Sequence, residues 1–517
     1  MTNLSQSTAR TYLDRLTFGP APGQVQQLMQ SGLTTWLTQQ LNAPAGDDAA
    51  TKALLASALV PLDYTDANGV VHNSSLPLQY LNASSAQLMA LDDPSLAFAQ
   101  RVRPGTEIRA ATWIRAASNS AQLRELMARF WNNHFTVDYT TPQTVGMMLP
   151  LLDQQVIRPN VFGNFRTMLG AVAKSGSMMY YLDLCDSNKT DPNENYAREV
   201  MELHTLGAIA YQGIGTPGAI ENGAGYTDQD VIQVARVLTG WTIANGHHRN
   251  AAGAEPADGS FLYAPALHDT GTKSVLGVTF PTSAGPGQAE GEAFLDLLAA
   301  HPSTALFVSG KLARWLAGDT PTQALYTKAQ QVWAANIHNP NQIAQVILAI
   351  VQHPDFLASP VAKVKDPFRF MVSLLRATGA TWGWTAQLQS LLDNAGYPLF
   401  SWATPDGIPD RSGFWTSTDG MLTRWLAANS LLTGATITSS LVQASGDTTG
   451  KAAPQIAFWT GMLLGGQVSG TSSAALQTLV ADPGLWGSHA SLTGTQLETA
   501  TRRLVGGIAQ LPEFQTI

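Results

Sequence analysis

Between Asn193 and Trp241 the chain reads NENYAREVMELHTLG, a Gly-rich interval, then YTDQDVIQVARVLTGW, gathering Arg, two Glu, His and Asp into one short stretch. At about 100° per residue, Asn195, Glu199, Glu202 and Leu206 share a helical stripe with Arg198 at its edge. His204 points the other way, among Ala197, Val200 and Met201. Glu199 and Glu202, three residues apart, stand roughly 5–6 Å from each other at Cβ. Carboxylates that close raise one another's proton affinity and form an acid and base pair, or they hold a cation. The competing reading is a solvated face on which Arg198 pairs with Glu202.

Other groups join this set as candidates. His134 follows Leu123, Met127 and Phe130 at helical spacing within WNNH, so it points inward, as a core histidine or as a titratable group closing on the Glu199 face. Asp230 follows Thr227 by three residues, which fits a capping box before the stripe Val231, Val234, Ala235 and Leu238; a catalytic role is the second reading. Asn195, Arg198 and His134 are expected to orient a substrate, and Trp241 and His268 complete the candidates on this side. From 381 onward the chain turns aromatic around ATPDGIPDRSG. Rigid rings beside carboxylates bind flat sugar faces and their hydroxyls, so Trp402, Asp406 and Trp415 are expected at a sugar-binding cleft, with ordinary core packing the alternative. Lys311 with Arg314 reads as a solvated helix face in preference to an anion site.

Metal and cofactor signals are sparse. No His-Glu-x-x-His and no paired cysteines occur, and the adjacent His247 and His248 point to different sides of most backbones. A calcium ion held by oxygens of Asp183, Asp186, Asn188, Asp191 and Asn193 is weighed above a transition metal, although the run is not an EF-hand loop. Phosphate-cradling GxxxxGK[ST] and GxGxxG motifs and the GxSxG elbow are absent, so no cofactor is expected.

These residues require helices to place them. The first signature helix is predicted from capping residues Asp191, Pro192 and Asn193 to Leu206, and the second begins at Thr227. Residues 5–60 read as helices around Pro20 and Pro22, 106–137 as two helices, and 303–378 as helices again. Residues 61–83 read as a loop with His72 at the surface, and KSVLGVTF as the one convincing strand. The expectation is a mainly α fold: one large multi-helix domain over 1–517 with long loops and minor β, in which a Trp-rich C-terminal subregion at 381–517 is the candidate division.

Charged residues make up only 13% of the 517, about half of what is usual in globular chains. The net charge of −8 and the lack of any basic run argue against nucleic acid. The one cysteine, Cys185, forms no internal disulfide. No apolar run is long enough to cross a membrane, and the N-terminus lacks the apolar core of a signal peptide.

The two signature segments resemble those of the bacterial domain of unknown function 1800 family. RLTFGPAPGQVQQLMQSGLTTWLTQQL, MARFWNNHFTV, LHDTGTKSVLG, HPSTALFVSGKLARWLAGD and VAKVKDPFRFMVSLLRATGA extend the resemblance along nearly the whole chain. The chain departs from the pattern by a longer insertion, Gln212 to Gly225. The resemblance implies a mostly exported bacterial protein, often beside a twin-arginine-exported companion, hence a periplasmic or secreted location with a leader removed; it implies no agreed activity. Together the residues lead us to expect a glycan-active enzyme, a glycoside hydrolase using Glu199 and Glu202 on a polysaccharide. The alternative is a non-catalytic binding or assembly protein working with an exported partner.

Overall fold

A computed structural model describes residues 4–213, 225–358, 362–434 and 436–517. The fold is mainly α, with 57% of residues helical. Residues 214–224, most of the insertion between the signature helices, lie outside the described residues.

Three helices form the centre. Arg103–Ser118, Gln122–His134 and Pro367–Thr378 are buried along almost their whole lengths; Trp113 and Phe368 join the first and third with rings 4.8 Å apart, and Trp131 packs on Phe165. Burying rings of this size contributes on the order of 2–3 kcal/mol each, which explains how a chain with few surface charges holds so large a core. The expected stripe Leu123, Met127, Phe130 and His134 is buried throughout. Helices Pro302–Ala317, Gln323–Ala335 and Gln342–Val351 pack on one side, and Thr418–Thr433 with Gly494–Ala509 on the other. Within the helices expected over residues 5–60, Gln24–Ser31 and Leu33–Leu41 are separated at Gly32, where φ is +75°.

The β content departs from expectation in number. Leu59–Thr65 and Val71–Pro77 pair as an antiparallel hairpin, so the segment read as a loop is mostly strand. The Asp66 carboxylate accepts from the N–H groups of Asn68 and Val70 at 2.9 Å each, closing the turn, and His72 stacks on Tyr64 with rings 4.5 Å apart. KSVLGVTF holds two strands, Lys273–Val275 and Val278–Phe280, joined through Leu276 and Gly277, both at positive φ as a two-residue hairpin turn requires. Trp241–Ile243 pairs with Phe261–Tyr263 as the third hairpin. Among the described residues no helix is long and apolar enough to cross a membrane.

Candidate functional site

The signature helix spans Glu194–Glu202, capped by the Asn193 side chain accepting from the Asn195 N–H at 2.8 Å. Tyr196, Ala197, Val200 and Met201 are buried, which leaves Glu199 and Glu202 on the outer face, each half-buried. The helix stops one turn earlier than its composition predicts. The N–H groups of His204 and Leu206 reach back to Glu199 and Met201, and the chain then turns at Gly207, whose positive φ and close approach to the Phe307 ring suit only glycine. This widened turn carries His204 into the core.

The second helix, Asp228–Leu238, starts with the expected capping box. Asp230 accepts from the Thr227 N–H at 2.9 Å and hydroxyl at 2.8 Å, and its other oxygen accepts from the Leu276 N–H at 2.8 Å. Asp230 is fully buried, with both oxygens accepting from backbone N–H groups, at the helix start and at Leu276. Arg198 does not pair with Glu202; it meets Asp228 at 3.2 Å, and Tyr211 donates to the same carboxylate at 2.8 Å. That contact joins the two signature helices. Neither Glu199 nor Glu202 has an ion-pair partner among the described residues.

The WNNH turn sets the opposite wall. Asn132 donates to buried Asp153 at 2.7 Å, in the π-helical segment Leu151–Ile157. Asn133 donates to the Ile408 carbonyl at 2.9 Å and accepts from the Ile408 N–H at 2.8 Å, an amide-to-backbone clamp on the ATPDGIPDR loop. Gly407 takes φ of +82°, and a Cβ there would fall 2.4 Å from the Asn133 carbonyl, so glycine allows the loop to lie this close. Trp415 is buried and donates its indole N–H to the Pro409 carbonyl at 3.0 Å. It is therefore an anchor of the loop. Trp402 is half-buried and edge-on to Phe414, with rings 6.2 Å apart.

His134 sits where these pieces meet. Its Nε2 lies 3.0 Å from the His204 carbonyl, which can only accept, so the proton is on Nε2. Nδ1 then accepts from Lys311 Nζ at 3.0 Å. Burial and the neighbouring Lys311 ammonium hold His134 well below the ordinary histidine range, so it is a neutral ring. Burial, and then Lys311, push His204 down to about 3, and neither of its ring nitrogens has a hydrogen-bond partner among the described residues. Burial and the nearby Arg314 lower Lys311 to about 8, against the pull of Asp410 and Asp406. Lys311 is thus no solvated surface cation. It continues the apolar stripe Thr304, Val308 and Trp315 on its helix, a pattern legible in the sequence.

His134, Lys311, Arg314, Trp315, Asp406 and Arg411 line a cavity of about 220 Å³. Asp406, exposed at its rim, accepts from the Thr404 hydroxyl at 2.5 Å. The His204 carbonyl, two residues past the signature helix, reaches the His134 ring that lines it. Burial raises Glu199 to about 7, aided by Glu202 and by Asp406 and opposed by Arg198. Glu199, Glu202, Asp406, His134 and Lys311 are therefore brought to one region from four separate elements. Tyr181, which the sequence did not single out, is raised to about 12, chiefly by burial and then by the charges of Asp138, Glu199 and Asp406.

Two further candidates, Trp241 and His268, lie elsewhere. Trp241 is fully buried, with the Lys174 ammonium 5.6 Å from its ring centre. His268 is buried against the Thr239 carbonyl at 2.8 Å and Glu290 at 3.0 Å. Both pack in the core beside the second helix, and neither lines the cavity of His134 and Lys311. Asn195 is exposed one turn before Glu199, its amide 3.4 Å from Asp183. In the run weighed for calcium, the Asn188 oxygen accepts from the Thr190 N–H at 3.0 Å and the Asn193 oxygen caps the helix, so both serve the backbone. Among the described residues no three His, Cys, Asp or Glu side chains converge as a metal site.

Fold and cleft together define a mainly helical protein in which a carboxylate-bearing helix faces a buried His and Lys contact beneath an aromatic loop. The family model described as "Protein of unknown function (DUF1800)" matches residues 11–516, and the chain belongs to that family. No curated protein and no solved structure matches it.

Proposed function

We propose that this protein is an exported glycoside hydrolase acting on a polysaccharide, with Glu199 as the general acid. The observation that carries the reading is the Glu199 carboxyl, half-buried and raised to about 7 by burial, Glu202 and Asp406. A carboxyl held protonated near neutral pH is what protonation of a glycosidic oxygen requires. Glu202 sits on the same helix face and keeps the Glu199 proton affinity high. Asp406 approaches from the facing loop, the side from which a base or nucleophile must act on the sugar carbon. Its position across the cleft suits that role better than Glu202, which points the same way as the acid. Trp402 and exposed Phe414 offer the stacking rim.

The test is release of new reducing ends from a panel of acidic and neutral polysaccharides. Wild type should release them; Glu199→Gln and Asp406→Asn should each be slower by roughly 100-fold or more with melting temperature retained. Equal rates in wild type and Glu199→Gln, or no release from any polysaccharide, would remove the reading. One observation favours the second reading, a binding or assembly protein with an exported partner: Ile209, just beyond the signature helix, is 85% exposed. Under that reading Glu199→Gln retains function and Ile209→Asp abolishes partner capture.

A further inference from the structure

The cavity beside the proposed acid has an unusual charge balance. Arg158 meets Glu125 and Asp153, Arg115 meets Asp47, Arg166 meets Glu292 and Asp296, and Arg236 meets Asp269. Arg314 and Arg411 differ. Both line the cavity, and neither guanidinium has a hydrogen-bond or ion-pair partner among the described residues. Their nitrogens are not closed off from solvent either. Lys311 adds a third cation, its Nζ held by His134 at 3.0 Å.

The lining carboxylates do not cancel this charge. Asp410 is taken from outside by Lys363 at 2.5 Å, which also donates to the Arg314 carbonyl at 3.1 Å and so fixes the end of that helix. Asp406 alone remains against three cations. Unpaired guanidiniums beside a partly buried ammonium, with Trp315 and Ile408 as an apolar wall, form an oxyanion receptor: the guanidinium forks meet a carboxylate or sulfate in two directions while the wall takes a sugar face.

We propose that Lys311, Arg314 and Arg411 bind an anionic group on the glycan, so that the substrate is an acidic saccharide carrying carboxylate or sulfate next to the bond at Glu199. This rests on the hydrolase reading for the bond and on the cavity alone for the anion. Lys311 acts as the charged floor of the subsite, and the proton held on His134 Nε2 keeps Nδ1 turned towards it. Loss of the Lys311 charge above about pH 8 weakens the grip on the anion.

The experiment is calorimetric titration of the full chain with an oligogalacturonide, a sulfated oligosaccharide and a neutral cello-oligosaccharide, in low and high salt. Wild type and the variants Arg411→Gln and Arg314→Gln/Arg411→Gln are compared, the first changing an exposed loop residue that leaves the fold unburdened. The expected result is binding of an anionic oligosaccharide over the neutral one, weaker by about tenfold or more in the double variant, and weaker in high salt. Preference between the carboxylated and sulfated ligands names the anion. Neutral ligand bound as tightly, affinity unchanged in both variants, or no binding of either anionic ligand would overturn the inference. Anion binding without cleavage keeps this subsite and removes the hydrolase; cleavage confined to neutral glycans does the reverse.

Discussion

Glu199 is the residue at which position and chemistry meet most directly. Its folded proton affinity is raised to about 7, so between the ordinary glutamate range and pH 7 the folded chain holds a proton that the unfolded chain has lost. Stability therefore falls as pH rises through that window and levels off above it. Glu199→Gln removes the effect. The variant should gain about 1–2 kcal/mol over wild type at pH 8, the shift being discounted for a half-exposed side chain, and nothing at pH 4. Urea denaturation at the two pH values checks this; a difference independent of pH would show that Glu199 is not held protonated. Under the hydrolase reading the same proton gives activity a basic limb near pH 7, which Glu199→Gln should abolish along with the activity.

At the scale of elements, the second signature helix is held by a polar knot the sequence did not reveal. Lys273 in the second hairpin strand pair meets Glu290 at 2.8 Å and also the Asp269 carbonyl, while His268 bridges Glu290 and the end of the helix. All three side chains are buried. Burial alone would raise Glu290, yet Lys273 and His268 hold it below the ordinary glutamate range. Its stabilisation is present above that range and is lost as pH falls through the lowered value. Glu290→Gln leaves a buried ammonium without its anion and should cost about 3–5 kcal/mol at pH 7, less in acid, by urea denaturation. A cost below about 1 kcal/mol would mean the knot is dispensable. Capping residues and apolar stripes are local signals, so the helices beginning at Asn193 and Thr227, and the inward face of His134, could be read from spacing. The hairpin at 59–77 was legible in principle from its Asp-Ala-Asn-Gly turn but was masked by Pro61 and polar strand residues. Lys273 and Glu290 lie 17 residues apart, and nothing in either neighbourhood announces the other. The same holds for the cleft: Glu199, His134, Lys311 and Asp406 come from distant segments that only tertiary packing unites.

Across the whole molecule, helix Pro367–Thr378 is the crossing point of otherwise remote segments. Arg369 donates to the carbonyls of Asp14 and Arg15 at 2.8 Å and of Thr17 at 3.1 Å, fixing the end of the N-terminal helix Gln6–Leu16. Arg376 reaches the Gly19 carbonyl at 2.7 Å and the Ala117 carbonyl at 3.1 Å. Just before this helix, Lys365 and Lys363 pair with the chain end through Gln515 and Ile517, and Arg424 of the Trp-rich region donates to the Lys365 carbonyl at 2.5 Å. These acceptors are interior carbonyls whose donors cannot be replaced by water without opening the core. Arg369→Ala should therefore cost about 3 kcal/mol or more, and it should do so for every region at once. Chains of this length commonly unfold in stages, so the expectation is a discriminating one: tryptophan fluorescence, to which 381–517 contributes seven of the thirteen rings, and far-ultraviolet dichroism, weighted to all helices, should give coincident transitions in wild type and in Arg369→Ala, and residues 381–517 alone should not fold. Separated transitions, or a folded 381–517 fragment, would mean the Trp-rich region is an independent unit, and the cleft between its loop and the signature helix would then be free to open.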